Sequence, residues 1–201
     1  GIKVLTHGQA VGYFMKGAPF GREFEGISIL GCHGKTTISA MVATALSEAK
    51  LEPSYTIGTS ELFPLGNPGK LGGGKYFVAE ADEFVSDVKE DRTVKFLYQH
   101  PKYAIINNID FDHPDVYENL AEVEKIFLKF CLENIKKDGV LIVNGDDQNL
   151  LSIIYYLLSS RKDLKIITYG ESEGNDIRID KFKEEGWGSE FEVSYQRESF
   201  G

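Results

Sequence analysis

The sequence predicts an α/β fold: a mainly parallel sheet flanked by helices in three layers, with a small antiparallel hairpin extension near the C-terminus. Three observations carry this prediction. Short apolar runs bounded by turn residues alternate along the chain with amphipathic helical patterns, the order that produces parallel strands joined by helical crossovers. Most of those runs are apolar throughout, as in strands covered on both faces. Close to the end of the chain the pattern changes to period-two alternation around a glycine-containing turn, the signature of a hairpin.

In chain order, Ile2-Lys3-Val4-Leu5 reads as an opening strand, and residues 27–30, 76–81, 103–109, 140–143 and 166–169 read as buried strands. Ile38, Met41, Val42, Ala45, Leu46 and Ala49 fall at helical spacing. So do Leu120, Val123, Phe127 and Phe130, and then Leu150, Ile153, Ile154 and Leu157. Residues 66–74, rich in Gly and Pro, read as a mobile surface loop. Residues 176–180 and 190–195 alternate on either side of Glu185-Gly186-Trp187-Gly188 and read as a hairpin extending the sheet edge. With no internal repeat and no linker, residues 1–201 read as one domain. The chain begins on an apparent strand and stops at Ser199-Phe200-Gly201, which reads as a fragment of a longer protein.

Composition narrows the function. The 201 residues are 42% hydrophobic and 26% charged, which suits a single domain with a real core. A net charge of -9 and a pI near 5.0 offer no general attraction for nucleic acid or an anionic membrane, so a bound phosphate needs a local site and a cation such as Mg²⁺. No signal peptide and no span of apolar residues long enough to cross a membrane is present. Cys32 and Cys131 do not form a disulfide framework, and a reducing cytoplasm is the expected compartment.

Three motifs carry chemistry. Gly31-Cys32-His33-Gly34-Lys35-Thr36-Thr37 stands between a strand and an amphipathic helix, the setting of a phosphate loop, and makes the expected sheet one of P-loop type. Its glycines let backbone N–H groups face phosphate oxygens, and the helix N-terminus adds a favourable dipole. Lys35 would neutralise the β- and γ-phosphates and Thr36 would ligate Mg²⁺. The spacing is a short Gly-x-x-Gly-Lys-Thr, because Ile29 stands where the longer loop has its first glycine. The bland alternative is a glycine-rich turn with an exposed lysine.

Glu80-Ala81-Asp82-Glu83 ends a strand, the position where open α/β sheets hold ligands, and Glu80 is the expected Mg²⁺ ligand. Solvated or helix-capping carboxylates are the alternative. Asn107-Asn108-Ile109-Asp110-Phe111-Asp112-His113-Pro114-Asp115 ends another strand, and His113 could reach a second metal or the transferred phosphate. His33 needs only to tolerate its loop, and His7 and His100 carry no signal.

The three motifs together resemble the Mur ligase family. Its central domains carry a Gly-Thr-x-Gly-Lys-Thr-Thr loop, a Glu-Ala-Asp-Glu strand end and an Asn-Ile-x-x-Asp-His-x-Asp turn. The histidine beside the loop glycine and the Asp112-His113-Pro114-Asp115-Val116-Tyr117 run look most like members acting on UDP-N-acetylmuramate, which add either L-alanine or, in a recycling branch, a preformed tripeptide. Asp82-Glu83-Phe84 and the run from Asp91 to Phe96 look somewhat closer to the recycling branch. Cys32 stands for the usual threonine, and Phe84 for a frequent serine.

The resemblance covers nearly the whole chain but one of three domains, without the UDP-binding N-terminal and the C-terminal domains. It implies ATP and Mg²⁺ as cofactors, and a reaction in which the muramic acid carboxylate attacks the γ-phosphate and an amine then displaces phosphate. It assigns Gly31, Cys32, His33, Gly34, Lys35, Thr36 and Thr37 to the phosphate cradle, with Lys35 on the β/γ-phosphates. Thr36 and Glu80 fall to a first Mg²⁺ and His113 to a second. Asn108 falls to the γ-phosphate or substrate, and Asp112 to support of His113. A folylpolyglutamate- or cyanophycin-type ligase domain is the nearest rival, and a nucleotide-dependent switch is the rival from another class.

Overall fold

A computed structural model describes Ile2, residues 4–186 and 188–195, and the backbone of 198–200. The elements run α1 (His7–Met15), β1 (Glu25–Leu30), α2 (Lys35–Glu48), β2 (Ser54–Thr56), β3 (Gly69–Lys70), β4 (Tyr76–Glu80), β5 (Val85–Asp87) and β6 (Asp91–Val94). They continue as β7 (Tyr103–Ile106), α3 (Leu120–Glu133), β8 (Val140–Asn144), α4 (Gln148–Ser160), β9 (Lys165–Gly170), β10 (Ile177–Glu185), β11 (Gly188–Tyr195) and β12 (Glu198–Phe200). Ten strands form one sheet in the order β12-β11-β10-β9-β8-β7-β1-β4-β2-β3, with β5 and β6 paired separately. The seven strands from β10 to β2 run parallel, and antiparallel pairs close both edges.

Residue alternation along β1 builds the layers. Ile27 and Ile29 face a cluster with Ala43, Ile38, Val42 and Leu46 of α2. Leu30 faces the opposite cluster, where α3 contributes Val123, Phe127 and Phe130 and α4 contributes Leu150, Ile153 and Leu157. On β4, Val78 joins the α2 side, while Phe77 and Ala79 meet Val11 and Met15 of α1. Helices therefore cover both faces, as expected, and the five strands predicted as buried and the three predicted helices are present. Asn119 caps α3 through Glu122 N–H and Asp147 caps α4 through Asn149 and Leu150 N–H, so the carboxylate and amide before each apolar stripe fix where the helices begin.

Three expectations change, and α1 and the β5–β6 hairpin went unpredicted. Residues 2, 4 and 5 form no strand, and Ile2 and Val4 are 96% and 87% exposed. The segment leads into α1, which the sequence concealed because Gly8 and Gly12 weaken its helical pattern. Those glycines permit close packing: a Cβ on Gly12 would lie 2.2 Å from the Tyr98 carbonyl oxygen.

The strand predicted over 103–109 ends at Ile106, since Asn107 and Asn108 turn to bind the loop after β1. Residues 66–74 are tied down, with Gly69–Lys70 paired to β2 and Arg22 donating to the carbonyls of Gly72 and Gly73. The β5–β6 hairpin, three and four residues long, was too short to show a pattern. The C-terminal hairpin extends the sheet through β10 beside β9, as expected, while Trp187 of its turn lies outside the described residues.

Candidate functional site

The three sequence motifs meet because their strands are neighbours. β4, β1 and β7 lie side by side and parallel, so their C-terminal ends place residues 80–83, 31–37 and 107–113 along one rim of the sheet.

The loop after β1 takes its shape from two left-handed glycines and two asparagines. Gly31 and Gly34 have φ of 138° and 79°, and Gly34 leads directly into α2. Asn108 Oδ1 accepts from His33 N–H at 2.8 Å, its Nδ2 donates to His33 O at 3.1 Å, and Cys32 N–H donates to Asn108 O at 3.3 Å. Asn107 Nδ2 also donates to His33 O, and Tyr169 of β9 donates to Asn107 Oδ1 at 2.6 Å. The Asn108 side chain thus shapes the loop after β1 at both ends of its amide. Cys32 Sγ lies 3.1 and 3.2 Å from the carbonyl oxygen and N–H of Asp110. Burial pushes its thiol up to about 11.

On the first turn of α2 two neighbouring residues reach the end of β4. Thr36 Oγ1 lies 3.1 Å from both Glu80 carboxylate oxygens, and Gly58 N–H donates to Glu80 Oε2 at 2.9 Å. Lys35 Nζ sits 2.7 Å from Glu83 Oε2, a carboxylate with 1% of its side chain exposed. His113, held at φ 57°, brings Nε2 within 3.4 Å of Glu83 Oε1, packs edge-on against Phe84 at 5.2 Å, and lies 3.8 Å from Asp112. Asp112 also accepts from the His113 N–H at 2.8 Å, so its support of that residue runs through the backbone as well as the ring.

Asp82 Oδ2 pairs with Lys95 Nζ at 2.6 Å. Its burial pushes the carboxyl up, but the Lys95 hydrogen bond and charge outweigh this and hold it below the ordinary value. Gln99, buried, accepts from Ser28 and donates to Glu80 O, fixing the strand end from below.

The expected residues fall into two groups. Thr36 and Glu80 are brought together, and His113 joins Glu83 and Asp82, whose ligand atoms all lie within 4.8 Å of one another. These oxygens and one imidazole suit a hard divalent cation. Glu83 Oε1 is buried and makes no hydrogen bond, which is the strongest sign that a cation fits here.

His33 and Thr37 are exposed, and no Thr37 side-chain contact joins it to the other motif residues. His33 approaches Asp110 at 3.8 Å. Sequence reasoning assigned no role to Glu83, Asn107, Lys95 or Tyr169. Glu83 and Asn107 stood inside quoted motifs, whereas nothing in the sequence links Tyr169 or Lys95 to the loop. His7, also without a predicted role, lines the same small cavity as Glu80 and Asp82.

Comparison with known proteins gives the arrangement a family. The Mur ligase middle domain model matches residues 29–201. A UDP-N-acetylmuramate–L-alanine ligase of Coxiella burnetii is 36% identical over 193 residues, covering 96% of this chain and 37% of that protein. The chain thus spans little more than a third of that relative's length.

The fold matches a UDP-N-acetylmuramate:L-alanyl-gamma-D-glutamyl-meso-diaminopimelate ligase from Neisseria meningitides with a TM-score of 0.73 at 22% identity, over 96% of this chain and 57% of the other. It also matches the MurF ligase of Thermotoga maritima, solved in complex with ADP, with a TM-score of 0.72 at 14% identity, over 99% of this chain and 44% of the other. The chain belongs to the Mur ligase family, and its residues from Ile29 onward correspond to that family's middle domain.

Proposed function

We propose that this chain is the ATP-binding part of a ligase that joins UDP-N-acetylmuramate to L-alanine or a short peptide in peptidoglycan precursor synthesis or recycling. The observation that carries the reading is the convergence of Lys35 and Thr36, on one turn of α2, upon two carboxylates at the end of β4, with His113 on the far side of Glu83. The name of the relative of 36% identity supports the substrate class. The UDP-binding and C-terminal domains belong to the remainder of a longer protein, and the compartment of the reaction is the cytoplasm.

In this reading the loop of residues 31–37 cradles the β- and γ-phosphates with its N–H groups, and Lys35 balances their charge. Thr36 and Glu80 hold one Mg²⁺ and His113 a second. When bound by these residues, Mg²⁺ would supply positive charge to offset that of the phosphate oxygens. The sugar carboxylate attacks the γ-phosphorus, the bond to the bridging oxygen breaks, and an acyl phosphate forms. An amine then attacks the acyl carbon and phosphate leaves, giving the amide. Asn108 contributes by fixing the loop through His33, so its part in orienting the γ-phosphate is indirect.

The test is calorimetric titration of the chain with ATP, with and without Mg²⁺. Wild type is expected to bind in a metal-dependent way, Lys35→Ala to lose binding by tenfold or more, and Glu80→Ala to lose the Mg²⁺ dependence while retaining its fold by circular dichroism. Absence of ATP binding by both this chain and the longer protein would overturn the reading.

A further inference from the structure

Glu83 is the most confined charged group of the site. Its carboxylate is 1% exposed, Oε2 is paired with Lys35 at 2.7 Å, and its backbone oxygen accepts from Tyr117 at 2.5 Å. Oε1 makes no hydrogen bond, although His113 Nε2 lies 3.4 Å away. A carboxylate this deeply buried needs a positive partner. Lys35 is that partner, yet Lys35 is also the residue expected to move to nucleotide phosphate. Once it does, the buried Glu83 carboxylate is left without that partner.

Asp82 already has partners at both oxygens, Lys95 Nζ on Oδ2 at 2.6 Å and Phe84 N–H on Oδ1 at 3.2 Å. The atoms open to a newcomer are Glu83 Oε1 and His113 Nε2, an oxygen and an imidazole nitrogen 3.4 Å apart, a pair that suits Mg²⁺ or Mn²⁺.

We infer that Glu83 is a ligand of the second divalent cation, shared with His113, and that Lys35 keeps the Glu83 carboxylate compensated until nucleotide draws the lysine away. Cation and lysine thereby compete for one carboxylate, and phosphate decides between them. The inference rests on the reading of Lys35 as a phosphate ligand, and it adds an order: nucleotide phosphate first, second cation after.

The competition has an unusual consequence, that removing Lys35 strengthens cation binding when no nucleotide is present. The experiment measures Mn²⁺ binding to the nucleotide-free chain by loss of the free-ion electron paramagnetic resonance signal, with Mn²⁺ broadening of the His113 imidazole proton resonances as a second readout.

Lys35→Met is expected to bind Mn²⁺ roughly tenfold more tightly than wild type and to broaden His113 at lower Mn²⁺. Glu83→Gln and the double variant Lys35→Met/Glu83→Gln are expected to show none of that gain, while Lys35→Met/Glu80→Gln keeps it. Lys35→Gln serves in place of Lys35→Met if circular dichroism shows the methionine variant unfolded. Equal affinities in wild type and the Lys35 variant, or a gain that survives Glu83→Gln, would overturn the inference. Titration of wild type with MgATP separates this from the proposed function: ATP binding with no Glu83-dependent gain sinks the inference alone, whereas absence of ATP binding sinks the functional reading and with it the order of phosphate before cation, even if the Mn²⁺ gain is seen.

Discussion

At the scale of single residues, the Lys35–Glu83 pair links stability to function. Lys35 retains 12% of its side-chain exposure and Glu83 1%, so the pair is only slightly screened by water. Truncating one partner of a buried pair costs about 3–5 kcal/mol, whereas neutralising both costs far less. Lys35→Ala is therefore expected to lower unfolding free energy by about 3 kcal/mol, and Glu83→Gln in that background to restore most of it. Urea denaturation of the four proteins in the cycle checks this. A loss in the double variant equal to the sum of the two single losses would show that the pair is not coupled.

The two thiols set a pH dependence. Burial pushes Cys32 up to about 11 and Cys131 up to about 12, from an ordinary value of 9.0. The unfolded thiol thus gives up its proton first, and the contribution of each thiol to stability is present below about pH 9 and falls as pH rises towards 11 and 12. Melting temperatures measured from pH 8 upward should decline less steeply in Cys131→Ala than in wild type.

At this scale the sequence was partly legible. It singled out Lys35, Thr36, Glu80 and His113 from their motifs, and all four lie at the rim. It did not distinguish the fates of Glu80, Asp82 and Glu83, because their partners Thr36, Lys95 and Lys35 are 44, 13 and 48 residues away.

Secondary-structure elements show where local pattern yields to packing. In α1 the glycines look like helix breakers, yet Thr6 N–H is bonded by Gln9, and the Thr6 and Gln9 side chains both donate to Asp91 of the hairpin. The helix survives because Gly8 and Gly12 let it lie against residues 95–98. Gly12→Ala, which would favour an isolated helix, is expected to destabilise the chain by about 1–3 kcal/mol through overpacking against Tyr98. A calorimetric melting point at or above that of wild type would refute this.

Arg161 has a comparable role after α4. Its guanidinium donates to the carbonyls of Cys131, Leu132 and Ile135 at the C-terminal end of α3, and it pairs with Asp163 at 2.9 Å. Arg161→Ala should cost about 2–3 kcal/mol, since the charged donor leaves carbonyl oxygens behind. Lysine should not rescue it, because it lacks the planar fork that reaches three acceptors. Chemical denaturation midpoints of the two variants test both statements. Neither role was readable from periodicity, which reports an apolar stripe and not what lies across from a glycine or an arginine.

For the whole molecule, legibility followed the parallel core. Continuous apolar runs alternating with helices specified the layers, and the motif after each strand marked the working rim. Strand order was not stated by any local signal. It places β1 between β4 and β7, so residues 75 positions apart, such as His33 and Asn108, become neighbours at the site. The edges, where β2, β3 and β12 have two or three residues each, gave too little pattern to read.

The hydrogen-bonded line from Tyr169 through Asn107 to His33 has a practical use for a spectroscopist. It spans the sheet from β9 to the loop after β1, crossing β8 and β7. The phenol, pushed up to about 12 first by burial and then by the nearby Asp147, keeps its proton and so remains a donor across the working pH range. A fluorine atom placed on that ring would sit outside the loop and yet respond to its shape. Occupancy of the site could then be followed as a chemical-shift change at β9, with no label on the nucleotide.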